Sequence, residues 1–440
     1  MQRDRFDGGS GQGRRIAVVG GGVSGLTTAW LLARRERVTL FEAAPRLGGH
    51  TNTVEVSLEG QSHPVDTGFL VFNRRTYPNL CALFALLGVN AVASEMSFSV
   101  SLREPDLEWA GTDLSTVFAQ RSNLVRPQFW GMLQDLLRFN RETTRLAARG
   151  AVPDQSLGEF LDARRYGEAF RDWYLLPMAA AIWSCPPRRM LAYPLATFLR
   201  FCHNHGLLQI LDRPSWLTVE GGGQEYVRRM AQTIDDVRIG VPVRGMMRDA
   251  EGVWLFSADG AERFDEVVLA CHSDQATEIL GDAAFAEERR ALSAVRYQPN
   301  VAWLHTDPAL LPRRERVWAA WNYLASGDPE APVSVSYLIN RLQPLPFKRP
   351  VVVSLNPPVA PRDEHVLARF DYAHPIFDHP AIAAQQALSS MQGRDRVWFA
   401  GAWTGYGFHE DGVRSALAVA SALGSPAPWQ GDARAIEVAG

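Results

Sequence analysis

The chain has 440 residues, of which 46% are hydrophobic and 21% are charged, a balance typical of folded globular proteins. This length exceeds what one ordinary hydrophobic core supports and predicts two or three structural units. The formal net charge of −3 offers no basic excess, so we expect no nucleic-acid partner.

Targeting and redox signals in the sequence predict a cytoplasmic protein. No apolar run reaches the roughly 18 residues that a membrane-spanning helix needs. Residues 1–13 are polar and glycine-rich, which predicts disorder and excludes a secretory signal there. The four cysteines lack CxxC and zinc-ligand spacings, so we expect reduced thiols. The pair His203 and His205 is spaced poorly for a metal, and we predict no metal site.

The first elements of the chain form a predicted βαβ unit. The run RIAVV at Arg15–Val19 predicts a strand, and residues 23–35 carry Ala and Leu at helical spacing. The run VTLF at Val38–Phe41 predicts a second strand. The connection between the first strand and the helix reads VVGGGVSGL and contains the pattern G-x-G-x-x-G.

Each glycine of this connection has a physical role. Gly20 allows a tight turn, Gly22 lets the backbone approach a diphosphate, and Gly25 lets the helix pack closely on the strand. The helix begins with Val23 and Ser24, where free N–H groups and a partial positive charge face the phosphates. The unit therefore predicts a dinucleotide-binding site.

The segment after the second strand selects the dinucleotide. Glu42 ends that strand, where a carboxylate can accept hydrogen bonds from ribose hydroxyls. The following run, EAAPRLGGHTNT, resembles the flavin-containing amine oxidase superfamily, which also holds phytoene desaturases and protoporphyrinogen oxidases. The resemblance implies FAD as the cofactor, with contacts from Arg46, Gly48, Gly49, His50 and Thr51. No second G-x-G-x-x-G occurs, so a separate NAD(P)H domain is not expected.

The middle of the chain reads first as helical and then as stranded. Residues 110–212 predict mostly helices, with long examples at 127–149 and 156–176. The spacing of hydrophobic residues then changes from helical to alternating. A turn is expected at Asp259–Gly260, between the predicted strands 252–257 and 266–271. The predicted strands are 241–246, 252–257, 266–271, 301–305, 333–339, 351–355 and 396–400, and a last helix is expected over 412–423.

Three further segments carry the family resemblance. GGGQEY at residues 221–226 is similar to the family's Gly-Gly turn before a helix. VWFAGAWTGYGFHEDGVRSALAVA resembles its closing motif, in which a helix start would stabilise the charge of a reduced flavin. The resemblance implies cofactor contacts from Asp66, Thr67, Gly68, Val243, Gly401, Ala402, Asp411, Gly412 and Val413.

A narrower likeness bears on the substrate. GGHTNTV, DTGFLVFN, TYPNL, EMSFSVS and NHGLL resemble a group of bacterial NAD/FAD-binding proteins and the FAD-type domain ahead of plant cyclopropane-fatty-acid synthases. This likeness implies a small hydrophobic or lipid acyl substrate and a methyltransferase as a partner. It leaves open a contact with the membrane surface.

The closing motif also holds the candidate catalytic residues. His409 is a candidate general base or polar lid over the flavin, or else a capping histidine without a proton role. Trp403, Tyr406 and Phe408 are expected either to line the substrate side of the flavin or to pack in the core. Many amine oxidases use a lysine near the flavin, but the single lysine, Lys348, lies in the proline-rich run PLPFKRP, which disfavours amine oxidation.

We therefore predict an α/β fold with a discontinuous, Rossmann-like FAD-binding domain of glutathione-reductase type and a mixed α+β substrate domain. The expected FAD-binding domain comprises residues 14–80, 215–275 and 395–424, the substrate domain residues 81–214 and 276–394, and a flexible tail residues 425–440. The expected function is FAD-dependent oxidation or desaturation of a hydrophobic substrate. A redox-neutral flavin isomerase and an accessory partner of a lipid methyltransferase remain as alternatives.

Overall fold

The structure is a computed structural model of the chain. It describes residues 13–148, 152–183, 186–204, 206–207, 214–325 and 333–430. The predictions for residues 1–12 and 431–440, and those that involve Cys185 and His205, lie outside the described residues. The three described cysteines, Cys81, Cys202 and Cys271, are free thiols.

The strands of the described residues are, in chain order, β1 (Arg15–Val19), β2 (Arg37–Glu42), β3 (Thr53–Leu58), β4 (Gln61–Asp66), β5 (Phe72–Asn73), β6 (Ala91–Ser94), β7 (Phe98–Leu102), β8 (Leu107–Ala110), β9 (Trp216–Val219), β10 (Asp236–Ile239), β11 (Val243–Arg248), β12 (Val253–Ser257), β13 (Gly260–Phe264), β14 (Glu266–Leu269), β15 (Arg296–His305), β16 (Trp321–Leu324), β17 (Val335–Leu338), β18 (Val352–Leu355), β19 (Val366–Ile376) and β20 (Val397–Phe399).

The α-helices of the same residues are α1 (Val23–Leu32), α2 (Pro78–Leu87), α3 (Leu114–Val117), α4 (Pro127–Ala148), α5 (Leu157–Ala163), α6 (Glu168–Phe170), α7 (Leu176–Trp183), α8 (Leu195–Asn204), α9 (Gln224–Ala231), α10 (Ser273–Leu280), α11 (Ala286–Ala294), α12 (Ile339–Leu342), α13 (His379–Ala387) and α14 (His409–Ala422). A π-helical turn, Arg171–Leu175, joins α6 to α7, and a 3₁₀ turn, Arg121–Val125, precedes α4.

A parallel sheet of five strands forms the first structural unit. Its order is β10-β2-β1-β14-β20, and all neighbouring strands pair in parallel. Four of the five residues of β1 are buried, as expected for a parallel sheet that is covered on both faces. α1, α2, α9 and α14 pack on one face, and α10, α11, α13 and the small sheet β11-β12-β13 pack on the other. The predicted α/β, Rossmann-like unit is confirmed.

A mixed sheet of seven strands forms the second unit, in the order β19-β15-β18-β17-β16-β7-β8. Its pairs are antiparallel except for β16 and β7. Helices α4 to α8 share one large hydrophobic cluster with β7, β8, β16 and β17. This unit is part helical and part mixed sheet, as the sequence predicts.

Several elements that were expected in the substrate domain pack with the parallel sheet. Leu83 and Phe84 of α2 lie in the same core as α1 and α14, and β6 pairs with β9. α11 and α13 cover the parallel sheet, although residues 276–394 were expected in the substrate domain. We propose that the dinucleotide-binding unit includes these elements. The residues that decide this are far apart in sequence, so local patterns do not reveal them.

The first residues of the expected flexible tail include a side chain that packs in the core. Trp429 is 7% exposed and packs in the core beside α1, and its Nε1–H donates to Asn79 Oδ1 at 3.2 Å. The flexible tail stays a prediction, and we propose that residues 425–430 pack with the dinucleotide-binding unit. The segment 425–430 is too short to show a hydrophobic period, so the sequence does not reveal that Trp429 packs into the core.

Three predicted elements differ from the structure. The expected helix over 156–176 is divided, because α5 ends at Ala163 and Arg165 takes φ 51 before α6 begins. The Asp259–Gly260 turn connects β12 to a further strand, β13, which the sequence analysis missed. The last helix begins at His409, since the Phe408 N–H donates to Asp411 Oδ2 at 3.1 Å and closes its first turn.

Candidate dinucleotide and substrate site

Two glycine turns meet at the carboxyl edge of the parallel sheet, and we call them together the dinucleotide cradle: residues 20–25 and 48–49. Gly20 has φ +110, and a Cβ there would lie 2.8 Å from the carbonyl oxygen of Ala270. A Cβ on Gly25 would lie 1.8 Å from the carbonyl oxygen of Gly20, so α1 can pack on β1 only with glycine at this position. The predicted roles of these two glycines therefore have a steric basis.

Gly22 differs from its neighbours because a Cβ there would meet nothing within 4 Å. It is the residue before α1, and no side chain caps the free N–H groups of the first helical turn. The Gly48 N–H donates to the Gly21 carbonyl at 2.8 Å, and Gly22 and Gly48 form an isolated bridge. An open space bordered by glycine backbone and a helix N-terminus fits the diphosphate of a dinucleotide.

The second turn is held open by its own arginine. Gly48 and Gly49 take φ +108 and +57, which glycine adopts without strain. The Arg46 guanidinium donates to the carbonyls of Gly49 at 2.8 Å and Thr51 at 3.2 Å. Arg46 therefore shapes the loop, and its predicted contact with a phosphate stays a prediction.

Glu42 is anchored where the sequence places it, at the end of β2. Its carboxylate accepts the N–H groups of Gly21 and Ala44, both at 2.7 Å. Each oxygen retains capacity for a further hydrogen bond, so the arrangement allows the predicted ribose contact. The segment that leads to Val243, another predicted cofactor contact, runs alongside, because the Val241 N–H donates to the Glu42 carbonyl at 2.9 Å and β11 begins at Val243.

Asp66 ties three parts of the chain together. It is 1% exposed and accepts hydrogen bonds from Thr53 Oγ1, the Gly223 N–H and Gln343 Nε2 at 2.5 to 3.1 Å. Burial raises the pKa of this carboxyl to about 6. Because its oxygens are engaged within the protein, we infer a positioning role for Asp66 in the predicted cofactor turn. Thr67 Oγ1 donates to the Asn52 carbonyl at 2.9 Å.

Gly68 brings two cofactor loops into contact. A Cβ there would lie 2.1 Å from the carbonyl oxygen of His50. The Phe69 N–H donates to this same carbonyl at 3.0 Å. The predicted cofactor-contact segment Asp66–Gly68 thus lies directly against the second glycine turn.

The closing motif brings a second helix N-terminus to the cradle. A Cβ on Gly412 would lie 2.7 Å from Val23 Cγ1 and 2.9 Å from Ser24 Oγ, so α14 starts against the start of α1. Gly401 precedes the turn Ala402–Thr404, and its N–H donates to Ser415 Oγ at 2.9 Å. Two helix N-termini at one place favour an anionic ligand.

The acids at the start of α14 face the protein interior. Asp411 is 8% exposed, and burial raises its pKa to about 6. A Cβ on Gly405 would lie 2.4 Å from Asp411 Oδ1, so the carboxylate fills the turn ahead of the helix. Val413 is fully buried. Asp411 and Val413 therefore support the helix start with their side chains, and contacts with FAD from this region would come from backbone.

His409 lies in the first turn of α14 and contacts both cofactor loops. Its Nε2 lies 2.8 Å from Thr51 Oγ1, which in turn lies 2.5 Å from the Tyr226 hydroxyl. Its ring stacks on Phe69 with a centroid distance of 3.8 Å. Burial lowers the pKa of His409 to about 3, so the imidazole is neutral at physiological pH. These contacts favour a positioning role over proton transfer.

The two predicted aromatic site residues have different surroundings. Trp403 is 3% exposed, packs in the core on the α10–α11 face, and donates from Nε1 to the Cys271 carbonyl at 3.2 Å. Its candidate catalytic role conflicts with this packing, because an indole enclosed in the core does not reach a substrate. Tyr406 instead contacts the helical substrate unit, 6.0 Å from the Phe201 ring.

Four aromatic rings from three segments form what we call the aromatic wall: Trp183, Phe201, Tyr406 and Phe408. Phe201 is central, with ring-centroid distances of 4.6 Å to Trp183 and 4.9 Å to Phe408. Trp183 Nε1 is buried without a hydrogen-bond partner among the described residues. The wall adjoins the start of α14, where the buried Trp183 and Phe201, 7% and 2% exposed, lie behind the half-buried rings of Tyr406 and Phe408.

A histidine–tyrosine cluster near the second glycine turn was missed by the sequence analysis, apart from His50. The His50 ring lies 6.0 Å from His272, 5.2 Å from His374 and 5.2 Å from Tyr372. His50 Nε2 is buried without a partner among the described residues. Burial and the neighbouring imidazoles lower the pKa of His50, and burial lowers that of His374 to about 4. The unpartnered nitrogen marks a position for a ligand group.

For one member of this cluster, His272, the sequence did contain an indication of its position. His272 follows β14, and residues at the carboxyl ends of parallel strands border the ligand crevice of such sheets. His374 and Tyr372 lie on β19 of the other unit, where no local pattern indicates the contact. Tyr372 accepts from Asn52 Nδ2 at 3.0 Å and lies 2.9 Å from Thr67 Oγ1, so both units contribute to this cluster.

Comparisons with known proteins agree with this architecture. The family model described as flavin containing amine oxidoreductase matches residues 23–315. A carotenoid phi-ring synthase of Chlorobaculum tepidum is 39% identical over 346 residues, which cover 72% of this chain and 49% of that protein. A carotenoid phi-ring synthase of Streptomyces griseus is 27% identical over 338 residues, which cover 71% of this chain and 61% of that protein.

The chain thus spans only about half to three-fifths of the length of these two relatives. Among solved structures, a protoporphyrinogen oxidase candidate of Exiguobacterium sp. 255-15 superposes with a TM-score of 0.65. That likeness has 16% sequence identity and covers 93% of this chain and 98% of the other, and it shows the fold.

Proposed function

Because the chain belongs to the flavin containing amine oxidoreductase family, we propose that it uses FAD to oxidise or desaturate an apolar, lipid-like substrate. Family membership confirms the predicted superfamily and the FAD cofactor. The substrate and the reaction are our proposal. The observation that carries it is the aromatic wall, whose half-buried rings, Tyr406 and Phe408, lie beside the start of α14.

The dinucleotide cradle would hold FAD by its diphosphate. The N–H groups at the starts of α1 and α14 point to one place, and Gly22 leaves room there for a bound group. Glu42 would accept a ribose hydroxyl, and His50 Nε2 is a free nitrogen beside the Gly48–Gly49 turn. When bound, the flavin accepts a hydride from a substrate C–H bond.

The other residues orient the substrate and exclude water. Tyr406 and Phe408, which are half-buried, favour an apolar molecule, since aromatic rings contact unsaturated groups by offset stacking or edge to face. Lys348 is exposed on the loop whose backbone binds Glu59, away from these rings, so it gives no support to amine oxidation.

The substrate class that we favour is an isoprenoid polyene of the carotenoid kind. The half-buried rings of Tyr406 and Phe408 suit conjugated double bonds, and the two relatives carry the name carotenoid phi-ring synthase. A fatty acyl chain, which the narrower sequence likeness implies, is the second candidate. A methyltransferase partner stays a prediction.

The test is anaerobic mixing of the purified FAD-loaded protein with detergent-dispersed substrates, followed by flavin absorbance and product mass. We expect a carotenoid to bleach the flavin and to lose two hydrogen atoms. A fatty acid that bleaches the flavin faster would change the substrate class but retain the reaction. Turnover of either lipid without a change in mass, dependent on prior flavin reduction, would show an isomerase and refute the oxidation.

A further inference from the structure

Exposed large apolar side chains are concentrated in one part of the substrate unit. Leu114 and Val125 are 79% and 83% exposed, which leaves nearly the whole side chain in contact with solvent. Five of the eleven such residues in the described chain fall between residues 114 and 137: Leu114, Leu124, Val125, Trp130 and Leu137. Scattered single apolar residues are ordinary on protein surfaces, but a group of them marks an interaction site.

These side chains lie on one continuous surface. Trp130 Nε1–H donates to the Leu124 carbonyl at 3.0 Å, and the Trp130 ring lies 5.3 Å from Phe118. The Phe118 N–H donates to the Leu114 carbonyl at 3.2 Å. Leu137 follows Trp130 by two helical turns and therefore lies on the same face of α4. We call this region, residues 114–145, the α3–α4 surface.

α4 separates this surface from the interior of the substrate unit. Phe129, Met132 and Phe139 are fully buried in the helical core, while Trp130 and Leu137 point outward. The helical core is thus formed by the buried residues of α4, and Trp130 and Leu137 do not belong to it. Their exposure is not explained by packing within the described chain.

The charge of the α3–α4 surface is opposite to that of the whole chain. Five arginines and only two acids lie within it, whereas the chain has a formal net charge of −3. The two acids are already paired, Asp135 with Arg138 at 2.9 Å and Glu142 with Arg164 at 3.0 Å. Arg141 and Arg145 have no ion pair among the described residues, and they line a groove on α4 together with Leu137.

We propose that the α3–α4 surface docks on a lipid bilayer that contains anionic phospholipids. Apolar side chains would enter the interface, and the arginines would lie at the level of the lipid phosphates. Tryptophan is favoured at this depth, and long arginine stems keep the charge near the headgroups. Among the helices that the structure describes, none has the length and apolar character of a membrane span.

The test is flotation of the full-length, FAD-loaded protein with two kinds of vesicle. One kind is phosphatidylcholine alone, and the other is an equimolar mixture with phosphatidylglycerol. We expect binding to the mixed vesicles that weakens as salt is added, because surface charge is screened. This measurement needs no substrate, so its outcome does not depend on the proposed reaction.

Two variants examine the two components of the surface. The double substitution V125D/L137D places charges at the apolar interface, and we expect it to abolish binding. Arg141→Glu changes the local charge by two units, which at about fivefold per charge predicts a loss of roughly 25-fold. The matched control is V359D/L367D, since both residues are exposed apolar side chains outside this surface.

Melting temperature and FAD content are measured on all variants, and the surface position of each residue predicts no change. The proposal is overturned if the wild-type protein does not float with the mixed vesicles. It is equally overturned if the control variant loses binding as much as V125D/L137D does. Self-association that V125D/L137D abolishes, without vesicle binding by the wild type, would identify the surface as a contact between copies of the chain.

Discussion

The dinucleotide cradle and the aromatic wall illustrate two ways in which a chain builds a site. The cradle consists of backbone from two short runs, and its shape follows from glycines that tolerate no Cβ, as at Gly25. The wall consists of side chains from α7, α8 and the turn before α14. The cradle therefore depends on residue identity at single positions, whereas the wall depends on how distant helices pack.

Gly25→Ala is expected to have the largest effect in the cradle. The new Cβ would lie 1.8 Å from the Gly20 carbonyl, so α1 must move away from β1. We expect a destabilisation of about 3 kcal/mol or more and loss of bound FAD, since overpacking against fixed backbone is costly. Thermal melting of the apoprotein and the flavin content measure both effects. An alanine variant with wild-type melting and FAD content would contradict the structure.

Gly22→Ala separates cofactor binding from folding. A Cβ at this position meets no protein atom within 4 Å, so the melting temperature of the apoprotein should not change. The methyl group would project into the open space, and a steric cost of about 1–3 kcal/mol corresponds to about 5- to 150-fold weaker FAD binding. Fluorescence titration of the apoprotein with FAD measures the affinity. Unchanged affinity would show that the diphosphate lies elsewhere.

Tyr406→Ala tests the wall, and Trp403→Phe is its matched control. Tyr406 contacts Phe201, whereas Trp403 packs in the opposite core. We expect Tyr406→Ala to slow flavin reduction by substrate roughly tenfold, from about 1–1.5 kcal/mol of lost aromatic contact, with FAD content retained. Trp403→Phe should leave the reduction rate unchanged while lowering the melting temperature. If Trp403→Phe slowed flavin reduction and Tyr406→Ala did not, Trp403 and not Tyr406 would contact the substrate.

The histidine–tyrosine cluster predicts a pH dependence of stability. Burial lowers the pKa of His374 to about 4 from its ordinary value of 6.5, so the folded state binds this proton more weakly than the unfolded state. Its contribution to stability is present above pH 6.5 and is lost as the pH falls toward 4. Urea unfolding of the apoprotein should show a smaller loss between pH 7 and pH 5 in His374→Gln than in the wild type.

The control for this pH effect is His203→Gln, because His203 is exposed on α8. Its loss of stability on acidification should match that of the wild type. Equal losses in all three proteins would mean that His374 is as accessible to protons in the folded chain as in the unfolded one.

His409→Gln should have the smallest effect on turnover. Glutamine retains a polar group that can reach Thr51 Oγ1, and the imidazole is neutral and stacked on Phe69. We expect flavin reduction by substrate to stay within about threefold of the wild type, whereas removal of a general base costs about 10²- to 10⁴-fold. A larger loss that depends on pH would establish His409 as a base and refute its positioning role.

Much of the cofactor site could be predicted from residue patterns. The Gly20–Gly25 turn, Glu42 and the Gly48–Gly49 turn lie within a short stretch, and each stands next to a strand whose own pattern is clear. The boundaries of the units were less predictable, because α2, α11 and α13 are ordinary amphipathic helices whose packing partners lie elsewhere in the chain. The different surroundings of Trp403 and Tyr406 were equally hidden, since the two residues are close in sequence.

The sequence by itself determined that a βαβ unit with a glycine turn binds a dinucleotide, and its resemblance to a family pointed to FAD. These conclusions rest on backbone conformation, which a few neighbouring residues control. Only the tertiary structure decided that His50, His272, Tyr372 and His374 meet, that the aromatic wall forms beside α14, and that α4 leaves an apolar and basic face exposed. Such contacts join residues that are distant along the chain, and their geometry arises only when the two units pack together.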